Sequence, residues 1–171
     1  MIHLVRADVD LLDAALAGDD ALAQALGHDV APGWATFRGA LQPARDARAT
    51  KPPDFAWGTR FFVTDDPQEL VGWGGFKGAP VDRVVELGYE IAEDRRERGY
   101  ATAVTRAMVD EAVADPDVTT VIAHTLPESN ASNRVLGKVG FAFVRPMESD
   151  GETVWRYALA TSTDYGPISP D

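Results

Sequence analysis

The stretch that most constrains this chain runs from Val85 to Val104. Val85-Glu86-Leu87-Gly88-Tyr89-Glu90-Ile91 alternates apolar and polar residues and reads as a strand. A charged turn follows, with Arg95, Arg96 and Arg98 close together, and then Gly99 opens a helical pattern. A glycine turn that starts a helix leaves backbone N–H groups without partners. Those donors, at the positive end of the helix dipole, form an anion site. Arginine adds planar, bidentate charge suited to phosphate. The stretch therefore predicts a strand–turn–helix unit that holds a phosphorylated ligand.

The surrounding pattern predicts the rest of a mixed α/β fold. Ile2 to Val5 reads as a first strand. Asp8 to Leu26 has helical spacing, broken near Gly18, and 32–48 reads as a weaker helix with Trp34, Phe37 and Leu41 on one face. Arg60 to Thr64, Leu70 to Phe76 and Val84 to Ile91 read as an antiparallel meander. The three glycines of the second strand imply close backbone approach or a bulge. Thr102 to Ala114 is an amphipathic helix, Val118 to Thr125 a buried strand, and Ala131 to Val139 a short helix with Gly140 as its cap. Phe141 to Arg145 and Val154 to Leu159 close the sheet. The middle strand–helix–strand unit requires a parallel crossover. Residues 1–160 are expected to form one domain and 161–171 a loose tail.

Composition removes several functions. The chain has no cysteine, which excludes disulfides, thiolate metal sites and cysteine nucleophiles. His3, His28 and His124 show no ligand spacing, so no metal is expected. The net charge of −11 disfavours nucleic acid and anionic membranes and leans toward cationic substrates. No apolar run approaches the ~18 residues of a membrane span. No signal peptide is visible at the N-terminus, and the expected location is cytoplasmic. Gly72-Trp73-Gly74-Gly75-Phe76-Lys77 lacks the Gly-Lys-Ser/Thr ending and the following helix of a nucleotide loop.

Two blocks carry a family resemblance. Arg96-Glu97-Arg98-Gly99-Tyr100-Ala101 fits Arg/Gln-x-x-Gly-x-Gly/Ala and resembles the acyl-coenzyme A pyrophosphate loop of the GNAT N-acetyltransferases. Leu126-Pro127-Glu128-Ser129-Asn130-Ala131-Ser132-Asn133-Arg134-Val135-Leu136, followed by Gly140-Phe141, is similar to the later helix of the same family. Gly74 to Gly78 resembles the branch that includes the ribosomal-protein N-terminal acetyltransferases. The resemblance implies the GNAT fold and acetyl transfer from acetyl-CoA to a primary amine by direct attack. The acceptor would be a small-molecule amine or a protein N-terminus, and a homodimer is the assembly the family suggests. A non-catalytic acyl-CoA sensor on the same fold is the alternative.

The resemblance also implies site residues. Arg95, Arg96, Arg98, Gly99, Tyr100, Ala101 and Thr102 would hold the pyrophosphate. Backbone groups of Tyr89 to Ile91 would face the thioester, and Asn130, Ser132 and Asn133 would line the pantetheine arm. Glu86 is the first candidate for the base and Glu90 the second; both lie on one strand face with Gly88. Ser132 matches a serine assigned as acid in the ribosomal-protein branch. Two departures stand out. Ser129 occupies the family's usual asparagine position, with Asn130 one residue later, and Leu136 occupies the position of a common tyrosine acid. His124 reads as a hydrogen-bonded core residue, not a base. Trp34, Phe55, Trp57, Phe61 and Trp73 read as core before acceptor pocket.

Overall fold

A computed structural model describes residues 1–149 and 151–160; the expected tail at 161–171 lies outside them. Eight strands form one sheet in the order β1-β3-β4-β5-β6-β8-β7, with the two-residue β2 added beside β4. The strands are β1 (Ile2–Arg6), β2 (Asp29–Val30), β3 (Thr59–Asp65), β4 (Gln68–Phe76), β5 (Val84–Ile91), β6 (Thr120–Thr125), β7 (Ala142–Ser149) and β8 (Glu152–Ala160). The helices are α1 (Val9–Ala17), α2 (Asp19–Leu26), α3 (Leu41–Ala49), α4 (Tyr100–Val113) and α5 (Ala131–Val139).

Strand alternation sends side chains to two cores. Phe62, Val71, Val85 and Leu87 pack with Val104 and Met108 of α4 and Leu136 of α5. Phe61, Val63, Leu70 and Trp73 pack with Leu12, Leu22 and Leu41 of the N-terminal helices. The β3–β4 part of the sheet is thus buried on both faces between helical layers, whereas the edge strand β7 is mostly exposed. β3, β4 and β5 form the expected meander, and β5 runs parallel to β6 through the α4 crossover.

The glycines of β4 are explained by close approach. A Cβ on Gly72 would lie 2.2 Å from the carbonyl oxygen of Glu90, and one on Gly74 would lie 2.2 Å from that of Gly88. The β3–β4 register also shifts at Phe62/Val63, which accommodates an extra residue on β4. Both expectations for this strand hold.

One sequence expectation fails. The helix over 32–48 is only α3, preceded by a 3-10 turn at Arg38–Ala40. Trp34 and Leu41 are buried, but Phe37 is 71% exposed. Gly33 adopts φ +71°, which breaks the helical path. The N–H groups of Thr36 and Phe37 bond to the Glu90 carboxylate, where a helix would have used its own carbonyls. The closing strand β7 also runs past Arg145 through Pro146. It lies at the sheet edge, where a missing N–H costs little.

Arg60 is a buried charge at only 1% exposure. Its guanidinium donates to Glu111 of α4 at 2.8 Å and to the carbonyls of Ala56, Gly58 and Thr59. This pair ties β3 to the helix that follows the arginine turn.

Candidate active site

β5 changes partner along its length. Val84, Val85 and Glu86 pair with Thr120, Val121 and Ile122 of β6. From Leu87 to Ile91 the strand pairs with β4 alone. Ala92 donates its N–H to Val71 of β4. By antiparallel alternation the backbone groups of Gly88 and Glu90 face β4, whereas those of Tyr89 and Ile91 face the gap. The Ile91 carbonyl accordingly accepts from Arg96 Nε at 3.1 Å. The split thus offers backbone donors from Tyr89 and Ile91, and takes Glu90 out of that role.

The arginine turn closes one end of the split. Gly99 adopts φ +81°, a left-handed conformation that L side chains rarely take. No side chain caps α4. The N–H groups of Tyr100, Ala101 and Thr102 have no partner among the described residues. Glu97 also has positive φ, at +62°, so the turn curls its N–H groups toward one side. The three arginines divide. Arg96 is tied to the Ile91 carbonyl. Arg95 forms a bidentate pair with Glu69 of β4 at 2.7 and 2.8 Å, so the turn's first cation is already spent on the fold. Arg98 makes no hydrogen bond among the described residues; its charge adds to the Arg95 hydrogen bond in lowering the pKa of Glu69, and Arg96, bonded to a neutral carbonyl, also keeps its charge for a ligand.

The other wall is the start of α5. Asn130 caps it by accepting the Asn133 N–H at 3.1 Å, so its side-chain oxygen serves the helix. Asn133 donates to the Glu128 carbonyl at 2.7 Å, which leaves its own Oδ1 buried without a partner. The Tyr89 hydroxyl is also buried and meets no partner in good hydrogen-bond geometry, although the Ser132 and Thr105 hydroxyls lie close enough to act on it. Burial pushes its pKa up, and the nearby Ser132 and Thr105 hydroxyls offset that only in part. Leu136 is buried in the core and is inert. An orphaned Asn133 oxygen, an uncapped helix and the charge of Arg96 and Arg98 fit a long ligand with a phosphate end and an amide-bearing arm. Coenzyme A has both.

The two candidate bases have different surroundings. Glu86 sits where β5 and β6 separate. It pairs with Lys77 and receives His124 Nδ1 at 2.9 Å. Burial pushes its pKa up, but hydrogen bonds and charge from Lys77 and His124 outweigh this and hold it below the ordinary carboxylate range. Glu90 accepts the N–H groups of Thr36 at 3.0 Å and Phe37 at 3.3 Å, and also the Trp73 indole N–H. Of the aromatics, Trp34, Phe61 and Trp73 are core, and Phe55 and Trp57 are half-buried.

Sequence reading missed the link between His124 and Glu86. The signal was present. Parallel pairing of β5 with β6 places Glu86 beside Ile122, and His124 lies two residues on along the same face. Among the described residues no cluster suits a metal ion, and no helix is long and apolar enough to cross a membrane. A cavity of about 500 Å³ lined by Arg6, Trp57, Phe76 and Glu111 lies toward the C-terminal end of α4, away from Gly99.

A split central strand, an uncapped helix after an arginine turn and a second helical wall are the parts of an acyltransferase architecture. Residues 1–142 match the acetyltransferase (GNAT) domain model, and the chain belongs to that family. An uncharacterized N-acetyltransferase, YjdG of Bacillus subtilis, is 25% identical over 143 residues, covering 82% of this chain and 85% of that protein. Mycobacterium smegmatis RimJ in complex with CoA-disulfide has TM-score 0.62 at 19% identity, covering 93% of this chain and 81% of that one. A spermidine N-acetyltransferase SpeG chimera from Vibrio cholerae and hSSAT has TM-score 0.65 at 13% identity, covering 94% and 95%.

Proposed function

We propose that this protein moves an acetyl group from acetyl-CoA to a primary amine by direct attack. The observation that carries this reading is the split after Glu86, bounded by the uncapped α4 start and the orphaned Asn133 oxygen. Arg98 and the N–H groups of Gly99, Tyr100, Ala101 and Thr102 take the pyrophosphate. Arg96 orders the turn and adds charge, and Arg95 braces it through Glu69. Asn133 and Ser132 line the arm, and Asn130 sets the helix start that presents them. Bound there, the coenzyme supplies an acetyl group already activated as a thioester.

Backbone N–H groups of Tyr89 and Ile91 stabilise the carbonyl oxygen as it gains charge, a role worth ~3 kcal/mol per donor in comparable sites. Ser132 donates a hydrogen bond to the departing sulfur. A thiol of pKa ~8.5 needs little more help. The amine proton leaves toward the Glu86 cluster. Glu90 has three donors on its oxygens and acts by holding the Thr36–Phe37 loop beside the split.

The acceptor class follows from charge. The net charge of −11 favours cationic amines, such as a polyamine, an aminoglycoside or a protein N-terminus. A cytoplasmic enzyme is the reading consistent with this chemistry. The test is thiol release from acetyl-CoA with spermidine, kanamycin and an alanyl-terminated peptide as acceptors. Turnover of one of these amines is expected. Coenzyme A binding without turnover of any amine would favour the sensor alternative, and absence of coenzyme A binding would overturn both.

A further inference from the structure

Sequence reading left His124 as a core histidine, but its position calls for more. It stands on β6 just beyond the last β5–β6 pair, Glu86 with Ile122. It therefore flanks the split itself, on the face opposite the α4 and α5 layer. Its Nδ1 meets Glu86 Oε1 at 2.9 Å, and its Nε2 meets the Met147 sulfur at 3.2 Å. The side chain is 14% exposed, so it is ordered yet reachable.

An imidazole that donates Nδ1–H to a carboxylate keeps its lone pair on Nε2. Glu86 is ionised and already shared with Lys77, so it can only accept from the ring. The opposite tautomer would leave two acceptors, Nδ1 and the carboxylate, facing each other at hydrogen-bond distance. Met147 is a weak partner for Nε2. A thioether is a poor acceptor, and its unbranched side chain moves easily. Amine or water can therefore replace it.

We infer that His124 Nε2 accepts the amine proton, directly or through one water, and that Glu86 is the positioning residue that fixes the ring. This rests on the acetyl-transfer reading and names the atom at which the Glu86 cluster acts. As the carbon–nitrogen bond forms, the carbon–sulfur bond breaks and its electron pair leaves with sulfur. The nitrogen's proton passes to Nε2, and the thiolate takes up a proton from the medium or from the imidazolium. Glu86 keeps its charge throughout. The charged groups around the ring are Glu86 from β5, Lys77 through Glu86, and Arg156 of β8, which lies opposite His124 and beside Arg145 of β7.

Two measurements test this. The first needs no acceptor: imidazole ¹⁵N spectra of the full chain, with the His124 signals assigned by their loss in His124→Asn. Nδ1–H is the tautomer expected of the uncharged ring in the wild type, with that preference weakened in Glu86→Gln. An Nε2-protonated ring in the wild type would overturn the inference. The second uses whichever amine of the panel is turned over. His124→Asn retains a donor toward Glu86 but has no atom at Nε2. It should bind coenzyme A as the wild type does by calorimetry and keep its melting temperature, yet lose at least about 100-fold in kcat. It should also lose the inflection in the rate–pH profile. Wild-type kcat and profile in His124→Asn would overturn the inference while leaving acetyl transfer standing. Failure of the wild type to bind coenzyme A would instead overturn the acetyl-transfer reading.

Discussion

Glu86 and Glu90 lie four residues apart on one face of one strand, and they do different work. Glu86 stands where β5 leaves β6, against Lys77 and His124. Glu90 stands near the strand's end, with its oxygens filled by the Thr36 and Phe37 N–H groups and the Trp73 indole. Local sequence treats them alike. Their roles are set by what other segments bring to each: a side-chain cation and an imidazole in one case, a loop backbone in the other. An anion that already accepts three hydrogen bonds is a clamp. In the proposed reaction, an anion that fixes an imidazole is part of the proton path.

The widest separation is expected in turnover. Glu86→Gln should lower kcat about 100-fold, ~2.7 kcal/mol of barrier, with little change in the KM of the amine. Glu90→Gln should raise that KM and leave kcat within a few fold. The reverse pattern would exchange their roles. Next comes stability. Glu90→Ala removes the acceptor of two backbone N–H groups and should cost about 2 kcal/mol in urea unfolding. Amide exchange at Thr36 and Phe37 should speed up in that variant and stay unchanged in Glu86→Gln.

A smaller effect concerns acid. The folded pKa of Glu86 lies below its ordinary value of 4.5, so the folded state binds fewer protons there than the unfolded chain. Its stabilising contribution is complete above about that unfolded value, and it is lost as pH falls through the lower folded one. Glu86→Gln should therefore flatten the acid limb of stability against pH, and an unchanged limb would show that Lys77 and His124 do not stabilise the anion. The smallest expected change is Trp73→Phe. It keeps an aromatic ring against Trp34 and removes one donor to Glu90, at about 1 kcal/mol for that bond, with kcat unaffected.

Much of the fold was legible because it is written in local spacing. Helix α5 runs from Ala131 to Val139 as the pattern predicted, and Gly140 closes it at φ +110°. The glycines of β4 announced close strand contact before any neighbour was known. The anion turn was equally clear, since arginines, Gly99 and a helix start are all local. The segment at 32–48 was not, because the carboxylate that takes its backbone donors is more than fifty residues away. Arg95 looked like a ligand residue until Glu69 was placed beside it. His124 looked like core until parallel pairing set it next to Glu86.

By itself, the sequence determined where the chain would form a strand, a glycine turn and a helix start with unpartnered N–H groups, because short-range sterics and backbone hydrogen bonding decide those features. It also determined that an anion would be welcome there. Tertiary structure alone decided which charges remained free for a ligand and which were spent. Charge becomes function only through its neighbours. For Arg95, Arg98, Glu86 and Glu90, the other strands and loops set those neighbours, as a side chain's own periodicity cannot.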